Sequence, residues 1–242
     1  MDRMIYLSMS GAKAALQRQD VLANNLANVS TTGFRAELDA FRAVPVRGDG
    51  ASTRVYALET TPGYSDAPGA VMATDRNLDV AMKGNGWLAV QSLDGTEAYT
   101  KAGALDVNNE GVLVTRSGLP VVGDGGPITL PANATVEIAA DGTVSARTGN
   151  GKPQPVAKLK VVTPETPLIR GTDGLFRAAD GNDLNIDPTA RVQSGALEGS
   201  NVSPVETMVS MISAARQFEH QMKLLSSAEK QDQAASKLLS QN

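Results

Sequence analysis

The chain has 242 residues, a net charge of −4, no cysteine and only 4% aromatic residues. The small net charge argues against binding to nucleic acid or to an anionic membrane surface, and the lack of cysteine excludes disulfides and thiolate metal sites. The length suits one to two domains. With 41% hydrophobic residues but few aromatics, the composition indicates close packing of small side chains or apolar faces buried between subunits.

The first predicted element is a long helix from about Met4 to Asn28. Apolar residues recur there in steps of three and four, which places them on one broad face of a helix. Thr31, Thr32 and Gly33 end the helix, because β-branched residues followed by a glycine free to take positive φ disfavour its continuation. The face consists of two neighbouring rows: Ile5, Met9, Ala12, Leu16, Ala23 and Leu26, and beside them Ala12, Ala15, Leu22, Leu26 and Val29.

Residues 31–70 are predicted to form an extended connector. Phe34, Leu38 and Phe41 are spaced for a helical turn or two, but prolines and glycines interrupt the segment that follows. We therefore expect short strands in this part of the chain.

Residues 71–199 are predicted to form a β-rich domain. Three turn sequences separate runs of strand-forming residues: 93–95 (Leu-Asp-Gly), 108–111 (Asn-Asn-Glu-Gly) and 140–142 (Ala-Asp-Gly). Asn, Asp and Gly tolerate positive φ, so each turn predicts a β-hairpin. A stiff, proline-containing link then leads into a further strand from Val156 to Val162.

The second long helix has the clearest start signal in the sequence. Ser203 and Glu206 form a capping box, with Pro204 at the first helical position. About 36 residues at 1.5 Å each give a helix of about 54 Å, which is long for a globular domain. Beyond Leu225 the apolar pattern moves to an adjacent face. Before that point one row follows three-four spacing: Met208, Met211, Ala215, Phe218, Met222 and Leu225.

These elements predict an α+β protein in which the long N- and C-terminal helices pair as a coiled-coil-like bundle, with a central all-β domain and an extended connector. Residues 1–30 and 200–242 would form a terminal helical assembly domain. The helical ends are near neutral and the middle is acidic, so the ends can pack against copies of themselves without repulsion.

A helix pair within one chain explains only part of the apolar pattern. It does not account for both rows of the first helix or for the shift of face in the second. We therefore predict that the helices also pack between subunits. The residues predicted to form this assembly interface are Ile5, Met9, Leu16, Leu22, Leu26, Met208, Met211, Ile212, Ala215, Phe218, Met222 and Leu225.

No catalytic, cofactor-binding or metal-binding residues are predicted. Gly84 and Gly86 fit a relaxed dinucleotide-binding pattern, but that mechanism needs a helix after the glycines, where a strand is predicted. His220 is the only histidine, and it fits a half-exposed helix position better than a catalytic or metal-binding one. The aspartates concentrate at turns, where they serve backbone geometry. An enzyme in the β region and a soluble binding module that uses the acidic middle remain as alternatives.

Strings of residues at three places resemble the flagellar rod and hook protein family. Residues 23–35 (ANNLANVSTTGFR) are similar to its N-terminal signature, and residues 197–206 (LEGSNVSPVE) to its C-terminal signature. Residues 83–90 (KGNGWLAV), followed by 99–103 (YTKAG), resemble the entry to its β-domain. Within the family, the short length and residues 1–6 and 34–46 resemble the proximal rod proteins most, with distal rod or hook-type axial proteins as the near alternative.

The resemblance implies a structural subunit without enzymatic activity or cofactors. Such a subunit would assemble with copies of itself and with other flagellar rod proteins into a hollow drive shaft that carries torque from motor to hook. The resemblance also implies export by the flagellar type III apparatus to the periplasmic rod of the basal body. The sequence lacks the basic start and unbroken apolar run of a Sec signal. Direct membrane insertion is not expected, since no stretch approaches about 20 apolar residues.

Overall fold

The chain folds into two compact units, each built from segments that are distant in sequence. A computed structural model describes residues 2–45, 55–59, 63–132, 134–149 and 151–239. Unit 1 comprises residues 1–29, 36–65 and 202–242, and unit 2 comprises residues 30–35 and 66–201. The chain therefore passes between the units at 29/30, 35/36, 65/66 and 201/202.

Unit 1 contains the two long helices and two short antiparallel strand pairs. The helices are α1 (Asp2–Ala27) and α2 (Pro204–Leu239). The strands are β1 (Glu37–Leu38), which pairs with β4 (Gly63–Tyr64), and β2 (Phe41–Pro45), which pairs with β3 (Val55–Glu59). The predicted terminal helices are thus confirmed. The helical turn suggested by Leu38 and Phe41 was wrong, because both residues lie in strands.

The two helices pack against each other and run antiparallel. Gly11 of α1 lies against Gln221 of α2, and a Cβ atom at position 11 would come within 2.9 Å of the Gln221 amide carbon. The backbone N–H of Asn201 donates to the Phe34 carbonyl at 3.3 Å, so the chain leaves α1 and enters α2 at neighbouring points. Only an antiparallel pair satisfies both contacts, because seven residues after Ala27 cannot span the length of α2.

The start of α2 agrees with the sequence signal. The helix begins at Pro204, where the missing N–H of proline costs no intrahelical bond. Thr207 donates its backbone N–H at 3.0 Å and its hydroxyl at 2.8 Å to the Ser203 carbonyl. In these bonds the acceptor at the helix start is therefore the Ser203 carbonyl rather than the Ser203 side chain.

Asn25 fastens β1 to the last turn of α1. Its side-chain nitrogen donates to the Glu37 carbonyl at 2.9 Å, and its Oδ1 accepts the Glu37 N–H at 2.8 Å. The buried side-chain amide of Asn25 therefore forms with Glu37 the same two hydrogen bonds that the backbone of a neighbouring strand would form. Asn25 belongs to the N-terminal signature string, and its structural role was not predicted from the sequence.

Unit 2 consists of short strands, whose described pairings are antiparallel, around a continuous apolar core. Its strands are β5 (Val71–Ala73), β6 (Val80–Met82), β7 (Trp87–Gln91), β8 (Glu97–Thr100), β9 (Leu105–Val107), β10 (Leu113–Thr115), β11 (Val122–Gly123), β12 (Gly126–Pro127), β13 (Ala134–Ile138), β14 (Thr143–Thr148), β15 (Gln154–Lys158), β16 (Val161–Val162), β17 (Ile169–Arg170), β18 (Phe176–Arg177), β19 (Val192–Ser194) and β20 (Ala196–Glu198). The largest sheet has the order β16-β7-β8-β18-β17, and a second has the order β13-β14-β15. The remaining strands form the pairs β5/β20, β6/β19, β9/β10 and β11/β12.

The three hairpins predicted from turn sequences are confirmed. They are the antiparallel pairs β7/β8, β9/β10 and β13/β14. In the first, Asp94 Oδ1 accepts the Thr96 N–H at 2.9 Å and its hydroxyl at 2.6 Å. These bonds lower the pKa of the Asp94 carboxyl and show a turn carboxylate serving backbone geometry, as predicted.

Gly33 occupies a position that has no space for a side chain. Its φ is +71°, and a Cβ atom there would collide with the backbone of Lys101 and Ala102.

We expect Gly33→Ala to lower the free energy of unfolding of unit 2 by about 3 kcal/mol or more, because the cost of a left-handed backbone conformation and the cost of overpacking add to each other. Urea unfolding measures this loss. Gly125→Ala is the matched control, since nothing lies within 4 Å of that position, and equal losses in the two variants would contradict the explanation.

Candidate assembly interface

Buried positions on α1 and α2 recur in alternating steps of three and four. We call these two rows the inner seam. Its smallest members, including Ala15 and Ala214, are almost fully buried, which allows the helix backbones to approach closely. In α1 the buried and half-buried row is Ile5, Ser8, Ala12, Ala15, Gln19, Leu22 and Leu26, and in α2 it is Thr207, Met211, Ala214, Phe218, Gln221, Leu225 and Ala228.

Large apolar side chains lie outside the inner seam and remain exposed. On α2 one set of them, which includes Val205, Met208 and Ile212, follows three-four spacing, and Met208 and Ile212 are 49% and 56% exposed. We call these exposed residues the outer rows. Exposed apolar surface repeated along one helix face is typical of a protein–protein contact. The outer row of α1 is Tyr6, Met9 and Leu16, and that of α2 is Val205, Met208, Ile212 and Met222. Val209 and Leu224 of α2 are also exposed but lie outside this row.

The residues predicted to form the assembly interface divide into a half-buried and an exposed group, and all of the half-buried ones except Ala215 belong to the inner seam. Periodicity placed all of them on apolar faces, but it could not show which face the chain covers itself. Those that are half-buried are Ile5, Leu22, Leu26, Met211, Ala215, Phe218 and Leu225. Those that are exposed are Met9, Leu16, Met208, Ile212 and Met222.

A groove of about 400 Å³ lies where the two helices and β3 meet. No acidic, basic or histidine side chain is among its lining residues, so it offers a packing surface and no acid–base chemistry. The lining residues are Leu7, Ser8, Ser10, Gly11, Ala14, Val55, Gln217, Gln221 and Leu224.

The C-terminal part of α2 extends beyond the inner seam. Ala228 is the last buried residue among the described side chains of this helix, and Glu229, Lys230 and Gln231 are exposed. Because Gly11 lies against Gln221 and α1 begins only nine residues before Gly11, the antiparallel pair runs out of α1 at about this point.

In unit 2, the signature strings converge on a buried ion pair. Arg35 Nη1 lies 2.9 Å from Glu198 Oε1, and the two side chains are 2% and 4% exposed. Arg35 also donates to the Ala67 carbonyl at 2.6 Å, and Glu198 Oε1 accepts the Gly69 N–H at 2.9 Å. The N-terminal signature thus ends on a residue that binds the C-terminal signature directly, a pairing that sequence spacing does not reveal.

The third signature region supplies a buried lysine to the same cluster. Lys101 donates to the Gly84 carbonyl at 3.1 Å, and its ammonium lies 5.2 Å from the centre of the Trp87 ring. Burial lowers the Lys101 pKa to about 8; Glu198 opposes this shift, Arg35 adds to it, and Asp66 also opposes it. The desolvation cost exceeds the attraction of the carboxylates, so the positive form of Lys101 is disfavoured in the folded chain.

The lowered pKa of Lys101 predicts a pH dependence of stability. In the folded chain the ammonium loses its proton near pH 8, and in the unfolded chain near pH 10.5. Between these values the unfolded state binds the extra proton, so the free energy of unfolding rises with pH. We expect the wild-type chain to gain on the order of 3 kcal/mol relative to Lys101→Met over this range. A difference between the two chains that is constant from pH 8 to 10.5 in urea unfolding would contradict this.

The remaining candidate sites show no arrangement for chemistry. Gly84 and Gly86 lie in a turn that leads into β7, and His220 is exposed on α2. Across the described ranges, His, Asp and Glu side chains form no group of three or more that could hold a metal ion. Within the same ranges, neither helix is long and apolar enough to cross a membrane.

Paired terminal helices with exposed apolar rows are the features of a structural protein built for packing, and comparison with known proteins agrees. Residues 5–35 match the family described as flagella basal body rod protein, residues 81–146 the flagellar hook protein FlgE/F/G D1 domain, and residues 193–238 the flagellar basal body rod FlgEFG protein C-terminal family. The three matches contain all of the signature strings.

Several curated relatives align with nearly the whole chain. It is 48% identical to the flagellar basal-body rod protein FlgF of Salmonella typhimurium and 48% identical to FlgF of Escherichia coli, with 99% of each chain covered. It is 30% identical to the flagellar basal-body rod protein FlgG of Bacillus subtilis, with 94% of this chain and 95% of the relative covered.

The chain therefore belongs to the flagellar basal-body rod protein family. Members of this family are structural proteins of the flagellar basal body and not enzymes. The resemblance of the signature strings is thus confirmed, and the possibility of an enzyme in the β region is excluded.

Proposed function

We propose that this chain is a subunit of the proximal rod and assembles, through its terminal helices, with copies of itself and with other rod proteins. The observation that carries this proposal is the row of exposed apolar residues on α2, including Met208 and Ile212, beside an inner seam that the chain already covers. Higher identity to relatives named FlgF than to the relative named FlgG favours the proximal rod over a distal rod or hook-type position.

We further propose that residues 1–30 and 200–242 act as the assembly domain, in which the inner seam pairs the helices in a coiled-coil-like manner. The three-four spacing of the buried positions supports this pairing. Since the outer rows are left free, each helix pair can contact neighbours on more than one side, as subunits of a helical assembly must. Helices bundled along the rod axis would resist torsion, because twisting the rod would require many apolar side chains to slide past one another. This property suits a shaft that transmits torque from motor to hook.

The proposed location is the periplasmic rod of the basal body, reached through the flagellar type III export apparatus without a Sec signal. The proposed partners are rod proteins, and neither nucleic acid nor direct membrane insertion is part of the proposal. The apolar residues of the helix pair would become fully buried only against neighbouring subunits, and isolated helices are marginal in water. Such a chain suits export in an unfolded state, followed by folding at the growing tip of the rod.

Complementation tests this function in a strain of the parent organism from which the gene encoding this chain has been deleted. The full chain is expected to restore swimming and to copurify with basal bodies. A chain that ends at residue 203, and so lacks α2, is expected to do neither. The proposal is contradicted if cells without this chain build complete rods and swim normally.

A further inference from the structure

Three segments of unit 2, each next to a point where the chain passes between the two units, meet at the Arg35–Glu198 ion pair. Arg35 is the last residue of unit 2 before the crossing at 35/36, Ala67 and Gly69 follow the crossing at 65/66, and Glu198 precedes the crossing at 201/202. Arg35 binds both Glu198 and the Ala67 carbonyl, while Glu198 binds the Gly69 N–H. One buried cluster therefore ties together segments from the N-terminal, central and C-terminal parts of the sequence.

Further hydrogen bonds and a close backbone contact hold the same segments at close range. The Gly33 N–H donates to the Glu198 carbonyl at 2.8 Å, and the Asn201 side chain donates to the Ala67 carbonyl at 2.9 Å. A Cβ atom at Gly69 would collide with the Gly199 carbonyl, so these two segments are in direct backbone contact. The spacing of the segments is fixed in several directions at once.

A buried ion pair of this kind specifies geometry more than it adds stability. Removing two charges from water costs several kcal/mol, and their attraction offsets this cost only in a well-defined arrangement. The planar guanidinium can reach Glu198 and Ala67 together because its donors point in fixed directions. Without the pair, apolar side chains could fill the space but could not hold the Ala67 carbonyl and the Gly69 N–H in place.

We propose that Arg35 and Glu198 are positioning residues of a clasp that sets the spacing of the chain segments where they leave unit 2. The clasp lies wholly within unit 2 and so exists before α1 and α2 meet any neighbour. Its consequence for assembly rests on the proposed function, because the segments that it holds lead directly into the proposed assembly domain.

Distances between spin labels on the free, full-length chain test the clasp. The chain has no cysteine, so Ser30→Cys and Asp66→Cys place nitroxides at exposed positions of unit 2, next to the points where the chain passes to unit 1 at 29/30 and 65/66. We expect a narrow distance distribution in the parent chain and one at least about twofold wider in Arg35→Met/Glu198→Leu, which removes both charges and leaves neither unpaired. Circular dichroism and Trp87 fluorescence establish that unit 2 is folded in each chain.

Arg177→Met is the matched control, because Arg177 forms a separate ion pair with Asp173 at 2.7 Å in unit 2. This variant is expected to keep the narrow distribution. The clasp is ruled out if the double variant remains as narrow as the parent, or if the parent itself is broad. Since the measurement needs no assembly, its failure is distinguishable from a failure of the rod function, which complementation reports.

Discussion

Ile212→Glu is expected to abolish rod assembly and swimming while leaving the chain folded. Ile212 is exposed on the outer row of α2, so a carboxylate there stays hydrated in the free chain. In an assembled rod the same side chain would be buried against a neighbour. The variant would lose about 1.5–3 kcal/mol of apolar burial at each contact and would also have to desolvate a charge. Swimming assays and copurification with basal bodies measure the effect.

Ser213→Glu provides the matched control for this prediction. Ser213 is the next residue along α2, is also exposed, and points about 100° away around the helix. We expect this variant to assemble. Phe218→Glu should differ from both, because Phe218 is half-buried in the inner seam and its replacement disrupts the helix pair itself. Normal swimming of Ile212→Glu cells would show that the outer row is not an assembly surface.

Arg35→Met is expected to lower the free energy of unfolding of unit 2 by about 3–5 kcal/mol, because it leaves the Glu198 carboxylate buried and unpaired. The double variant Arg35→Met/Glu198→Leu should recover most of this loss, since both charges of the ion pair are removed together. Trp87 is the only tryptophan and its ring centre lies 6.0 Å from the Arg35 guanidinium carbon. Its fluorescence during urea unfolding therefore reports on the relevant region.

Comparing Arg35→Met with Arg177→Met separates the effect of breaking a buried ion pair from the effect of losing any positive charge. The Arg177–Asp173 pair is partly exposed, and surface pairs contribute only about 0–1 kcal/mol. A loss in Arg35→Met no larger than that in Arg177→Met would contradict the idea that the Arg35–Glu198 pair is tightly coupled. So would a double variant that is less stable than the single one.

Local patterns in the sequence were sufficient to predict the secondary structure that depends on local chemistry. Three-four spacing and the proline-containing start at Ser203 and Pro204 predicted α2, and Asp-Gly turns such as Asp94-Gly95 predicted the hairpins of unit 2. Each of these signals lies within a few residues of the element it specifies. Backbone geometry, rather than long-range packing, decides these elements.

Long-range pairings were beyond the reach of those patterns. Both rows of α1 are apolar, so periodicity could not show that Ala12 and Ala15 face inward while Met9 and Leu16 remain exposed. Nothing near Arg35 in the sequence indicates a partner at Glu198, because folding brings the two together from opposite ends of the chain. The resemblance of the signature strings identified the family, but only the structure shows that these strings bind one another.

Solvent protection of the outer row in assembled rods tests most directly whether the terminal helices build the rod. Ile212→Cys introduces a single thiol into a chain that has none, and maleimide labelling can be followed on the free chain and in purified basal bodies from swimming cells. We predict rapid labelling of the free chain and strong protection in the basal body. Equal labelling rates in the two states would contradict assembly through the outer row of α2.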